Sequence, residues 1–121
     1  PIREGFNWKG NSFIDTYSID SKLKYLANWD YTYSNVNTPL TLGNFNLDNT
    51  ITINQQDEYI GGDVGNPNTS YAERNFSVEK YAKGIGLVYK DFLHWEYQRF
   101  TPQDPFYYVG YGIKLTMIDH N

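Results

Sequence analysis

Residues 85–98 read Ile-Gly-Leu-Val-Tyr-Lys-Asp-Phe-Leu-His-Trp-Glu-Tyr-Gln. The odd positions are Ile85, Leu87, Tyr89, Asp91, Leu93, Trp95 and Tyr97, apolar with one exception. The even positions carry Gly86, Val88, Lys90, Phe92, His94, Glu96 and Gln98. A period of two with one apolar side is the pattern of a half-buried strand. The pattern returns after a loop containing Pro102 and Pro105. There Tyr107, Val109, Tyr111, Ile113, Leu115 and Met117 alternate with Tyr108, Gly110, Gly112, Lys114, Thr116 and Ile118. Two such runs with one interposed turn predict a long antiparallel hairpin.

If both apolar stripes share a face, facing residues have numbers summing to an even value. A sum of 204 would oppose Lys90 to Lys114, two like charges. The sum of 206 is therefore preferred, with Lys90 opposite Thr116, His94 opposite Gly112 and Glu96 opposite Gly110. Phe92 and Tyr108 then lie together on the other face. Glycines 84, 86, 110 and 112 would let the strands bend, as curved sheets require.

Outward from this hairpin, Tyr31–Val36 and Thr50–Asn54 alternate in the same way. The first is expected to stop before Pro39, and Leu40-Thr41-Leu42 to form a short strand ending at a Gly43-Asn44 turn. Residues 57–70 hold three Gly, one Pro and two Asn and read as a long irregular loop. Helix signals are poor: Ala is scarce and Leu is scattered. The stretch 21–26 offers at most a turn or two, capped by Asp20 or Ser21. The fold class is thus all-β with little or no helix. A single domain over residues 1–121 is expected, an antiparallel curved sheet of roughly six to nine strands forming a barrel or sandwich.

Composition excludes several functions. The 121 residues carry 14 acids against 10 bases, a net charge of −4, which argues against a nucleic-acid backbone as partner. Twelve Tyr, 7 Phe and 3 Trp argue against disorder. No apolar run reaches the roughly 20 residues of a membrane helix. The absence of Cys suits either a reducing compartment or a secreted bacterial protein whose lipid-anchor Cys has been removed. Two sequons occur, at Asn68 and Asn75, but among thirteen Asn such matches arise by chance.

No catalytic constellation stands out. His94 and His120 are far apart in the expected hairpin, and His94 falls on the polar face, where solvent exposure is expected. Asp91 interrupts the apolar stripe, either as a buried acid or, in the favoured reading, as a residue at a bulge or one paired with a nearby Lys. Asp57, Glu58 and Asp63 are oxygen donors of the kind Ca²⁺ collects. Their spacing does not match an EF-hand loop, so no metal and no cofactor is expected. Gly84-Ile85-Gly86 lacks the third Gly, the helix and the acid of a dinucleotide site. The aromatics remain. Most fall at buried positions, which leaves Trp8, Trp29, Phe92 and Tyr108 as candidate ligand-binding side chains.

The run Tyr81-Ala82-Lys83-Gly84-Ile85-Gly86-Leu87-Val88-Tyr89-Lys90 resembles the C-terminal β region of uncharacterised lipoproteins of Bacteroidetes. So do Trp95-Glu96-Tyr97-Gln98 and the closing Gly110–His120, while Trp8-Lys9-Gly10-Asn11 is similar to the opening strand of such domains. The likeness covers the last forty residues well and the middle loosely, and Asp91 stands where the pattern has Glu. It implies an extracytoplasmic, cell-envelope protein of unassigned function, tied to a membrane only through a lipid anchor that these residues do not carry. The expectation is a non-enzymatic binding or accessory domain with a glycan or protein ligand. A small β-barrel carrier of an apolar ligand is the alternative. A carboxylate-dependent hydrolase comes third, and would need Asp91 or Glu96 beside a second acid in a cleft.

Overall fold

The computed structural model describes residues 2–11, 24–27 and 29–118. Six strands follow in chain order: β1 Asn7–Lys9, β2 Asp30–Leu42, β3 Phe45–Gly61, β4 Tyr71–Ala82, β5 Gly86–Gln98 and β6 Tyr107–Thr116. They form one antiparallel sheet in the order β1-β2-β3-β4-β5-β6, so each strand pairs with its sequence neighbour. The chain is all-β, and its sheet curls without closing. Its strand number is the lower end of the expected range.

Several local expectations change. Of the stretch 21–26, Lys24–Leu26 forms a 3₁₀ turn; residues 21–23 and the Asp20 cap lie outside the described residues. β2 does not stop before Pro39. It runs through to Leu42, with register shifts on either side of Thr38 and with Asn35 and Asn37 at positive φ. Pro39 is tolerated because β1 pairs only with Asp30–Thr32, leaving β2 an outer edge beyond them where no ladder donor is needed. The Gly43-Asn44 turn does join β2 to β3, with Leu42 facing Phe45. The supposed loop from residue 57 is strand as far as Gly61, so the connection shrinks to residues 62–70. β4 has no counterpart in the sequence reading: its odd positions Glu73, Asn75, Ser77 and Glu79 are polar, and its apolar alternation is faint.

The hairpin of β5 and β6 forms, but one residue out of the expected register. Lys90 faces Leu115, His94 faces Tyr111, Glu96 faces Val109 and Tyr97 faces Tyr108. Cross-strand fit explains the shift. Trp95 and Leu93 lie over Gly110 and Gly112, and Asp91 faces Lys114 with its carboxylate 3.7 Å from the ammonium. A Cβ on Gly110 would sit 2.1 Å from the His94 carbonyl oxygen, and φ there is +154°. Only glycine permits that approach.

A slip of one residue sends every side chain to the other side. The two apolar stripes therefore point in opposite directions, and so do Phe92 and Tyr108. We call the front the face bearing Tyr107, Val109, Tyr111, Ile113 and Leu115, together with Phe92, His94 and Glu96. The back carries Trp95, Tyr97 and Tyr108. The fully apolar core is small: Leu47, Ala82 and Val88 with Leu40, Leu42, Phe45 and Met117 around them. On the back, Tyr97 is 0% exposed, packed against Phe106 and Tyr108, and its hydroxyl finds no partner among the described residues.

Two stability tests follow from this packing. Gly110→Ala should cost about 2–4 kcal/mol, seen as a lower urea midpoint, because backbone must move. Tyr97→Phe should raise that midpoint, by up to about 1 kcal/mol, because it deletes a buried hydroxyl that gains nothing on folding; a fall would show that the hydroxyl is satisfied.

Candidate functional site

The front face owes its character to three strands that each place polar residues inward. β4 contributes Tyr71, Glu73 and Asn75; β5 contributes His94 and Glu96; β3 contributes Glu58. The register sets Glu73 directly against Glu96, and Asn75 between Glu58 and His94. Like charges face to face cost stability unless something bridges them. Here Tyr71 does so. Its hydroxyl donates to Glu73 at 2.5 Å and lies 3.3 Å from a Glu96 oxygen.

Asn75, 1% exposed, is the hub. Its Nδ2 donates to Glu58 Oε1 at 2.9 Å and also to Glu73. Its Oδ1 lies 2.6 Å from His94 Nδ1. With the amide nitrogen committed to two carboxylates, Oδ1 must accept, so His94 carries its proton on Nδ1. His94 is thus buried and hydrogen-bonded, not solvent-exposed. The Asn75 sequon is equally out of reach of a glycan in the folded chain.

Residues 24–27 and 29 lie across this floor. Tyr25 stacks on the His94 ring at 3.7 Å and 10°, and its hydroxyl meets that of Tyr111 at 3.3 Å. Trp29, 3% exposed, donates from Nε1 to the Tyr25 carbonyl at 2.7 Å and packs 6.2 Å from Phe92. Phe92 in turn stacks on Tyr111 at 5.5 Å. Between this strap and the sheet opens a cleft of about 830 Å³, reached by Tyr25, Glu58, Glu73, His94, Glu96 and Tyr111. It has an aromatic wall and an acceptor-rich floor.

Of the four candidate aromatics, the structure joins two. Trp29 and Phe92 meet beneath the strap. Trp8 lies at the β1 edge with Phe6, Tyr31 and Tyr33, and Tyr108 is on the back with Trp95, Tyr97 and Phe106. The oxygen donors also separate. Asp57 points to the back and pairs with Arg74 at 2.7 Å, Glu58 joins the floor, and Asp63 caps the 62–70 turn by accepting from the Gly65 amide. Among the described residues no group of three or more His, Cys, Asp or Glu could hold a metal ion. Asp91 has its Lys114 partner, and His120 lies outside the described residues. Sequence reasoning missed the parts that Asn75 and Tyr25 play here. The cluster spans three strands and a turn, so no local spacing announces it.

Two phenols, Tyr25 in the cleft and Tyr71 beside its acids, hold their protons unusually well. Burial raises Tyr71 above its ordinary 10.0, and the bond to Glu73 and the charges of Glu73 and Glu96 add to it. Tyr25 is raised too, by burial and then by its bond to Tyr111. The folded state therefore keeps protons that the unfolded chain releases. The stabilisation is complete below the unfolded value and is lost as pH climbs through the folded one. Between about pH 9 and about pH 11 the urea midpoint of the wild type should fall more steeply than that of Tyr71→Phe. Equal slopes would show that Tyr71 is not protected.

Comparison of the chain with family models, with curated proteins and with solved structures finds no match.

Proposed function

We propose that this is a non-enzymatic, extracytoplasmic binding domain of the cell envelope, and that its ligand is a glycan held in the front-face cleft. One observation carries the reading. The cleft sets the faces of Tyr25 and Tyr111 beside the carboxylates of Glu73 and Glu96, in a groove of about 830 Å³. A sugar ring presents apolar C–H faces and a rim of hydroxyl donors. Aromatic walls suit the first and carboxylate acceptors the second. The envelope location rests on the lipoprotein resemblance and accords with a chain free of Cys. A carrier of apolar ligands fits less well, since five polar side chains, Glu58, Glu73, Asn75, His94 and Glu96, meet at the floor.

A second reading has a specific observation behind it. Glu73 and Glu96 both reach the Tyr71 hydroxyl, which brings their oxygens within about 6 Å, near the spacing of a retaining glycosidase. On that reading one acid would protonate a leaving oxygen and the other attack the anomeric carbon.

A panel of neutral oligosaccharides at millimolar concentration, read by thermal shift, separates these outcomes. Binding should raise the melting temperature of the wild type, and Tyr25→Ala should lose at least tenfold in affinity with its fold retained. No shift with any sugar overturns the glycan reading. Release of reducing ends, abolished in Glu73→Gln, would replace binding by hydrolysis.

A further inference from the structure

The two edges of the sheet are treated very differently. At one end β1 covers Asp30–Thr32 of β2. Beyond it the edge is broken by two register shifts, by Asn35 and Asn37 at φ 51° and 57°, and by Pro39. These features prevent strand addition. At the other end β6 has no partner on its outer side among the described residues. It contains no proline and no register shift against β5, and its one charge, Lys114, is already paired with Asp91.

The geometry of this edge can be worked out. The Met117 amide donates to Val88 across β5, and antiparallel strands turn both backbone groups of alternate residues the same way. Odd-numbered residues of β6 therefore bond to β5. The N–H and C=O groups of Tyr108, Gly110, Gly112, Lys114 and Thr116 point outward. Two of those five residues are glycines, with no side chain to shield the backbone. Around them Tyr107, Tyr108, Val109, Tyr111, Ile113 and Leu115 are each 44–56% exposed.

We propose that this edge is a dimer interface, in which β6 pairs antiparallel with β6 of a second copy and continues the sheet across a two-fold axis. Self-complementarity singles out that occupant. With the axis at Tyr111, Gly110 meets Gly112, Val109 meets Ile113, Tyr107 meets Leu115 and Tyr108 meets Lys114. Apolar side chains oppose apolar ones, the lysine lies against an aromatic ring, and no like charges face each other. Head-to-tail addition of β6 to β2 is barred by the broken edge, so the contact closes on itself and builds no fibre. Fully covered, the six half-exposed side chains would contribute roughly 80–100 Å² each, at most about 1,000–1,200 Å² over both copies, the lower edge of what a specific interface buries. The seam shares Val109, Gly110 and Tyr111 with the lining of the front-face cleft, so pairing and ligand binding meet at those residues. Pairing sets the two front-face clefts on the same side of one sheet.

Sedimentation velocity and hydrogen exchange test it on the purified chain. The wild type should sediment at twice the chain's mass, with the amides of Tyr108, Gly110, Gly112, Lys114 and Thr116 slowed at least tenfold relative to an unpaired edge. Ile113→Lys puts a charge in the apolar row. Lys114→Pro removes an outward donor without touching the ladder to β5. Both should sediment at the single-chain mass with an unchanged far-ultraviolet spectrum and those amides exposed. If Lys114→Pro does not fold, Ile113→Lys decides alone. A wild type that stays monomeric overturns the proposal and leaves the edge to a strand of another chain. A dimer in which those five amides exchange freely overturns it too, by placing the contact elsewhere.

Discussion

The close passage of Gly110 beneath His94 and Trp95 is the contact on which the rest of this structure depends. It fixes β6 against β5 to a single register, with Leu93 over Gly112 and Asp91 against Lys114 reinforcing the choice. From that register it follows that the apolar row of β5 faces the back while that of β6 faces the front. Neither face is left wholly polar or wholly dry. Tyr111 arrives beside His94, where Tyr25 can stack and bond, and the strap carrying Tyr25 gains its landing place.

The front face then carries an unusual burden for a small domain. Glu58, Glu73 and Glu96 gather around Asn75 and Tyr71; Lys24 lines the same cleft, while Arg74 and Lys90 on the sheet itself are engaged elsewhere. Arg74 turns to Asp57 on the back, and Lys90 bonds Glu79 at 2.7 Å. A buried carboxylate such as Glu73 is expensive unless its oxygens are served by donors. Asn75 and Tyr71 supply donors to Glu73 and Glu58, the proton on His94 holds the Asn75 amide in place, and a second network of Gln55, Ser77, Glu79 and Tyr81 continues along the sheet. Side chains that would otherwise face water become a preorganised set of acceptors under an aromatic strap. Polar residues held against the general preference for an apolar interior are where function is expected.

How much of this could be read from the residues differs from strand to strand. β5 and β6 announce themselves because their apolar rows are long, and parts of β2 and β3 because β-branched and aromatic residues alternate there. β4 gives little notice. Its inward row is Glu73, Asn75, Ser77 and Glu79, so the usual contrast between a buried and a wet side vanishes. The end of β3 looks like a loop because Asp57, Glu58 and two glycines mimic turn chemistry, and Pro39 looks like a stop although it lies on an edge. His94 reads as exposed for the same reason that β4 is overlooked: a polar row suggests water when its hydrogen-bond partners are on other strands.

By itself, then, the sequence determined the fold class, the antiparallel hairpin of its last two strands and the aromatic richness of its packing. Those follow from the period of two, which is a property of neighbours along the chain. The tertiary structure alone decided the register of β5 and β6, the meeting of Glu73 with Glu96 and of Tyr25 with His94, and the contrast between one interrupted edge and one that is unpaired among the described residues. These depend on which backbone can approach which, by fractions of an ångström, and on hydrogen bonds between residues far apart in the chain. No local pattern encodes them, because each partner's environment exists only once the other strand is in place.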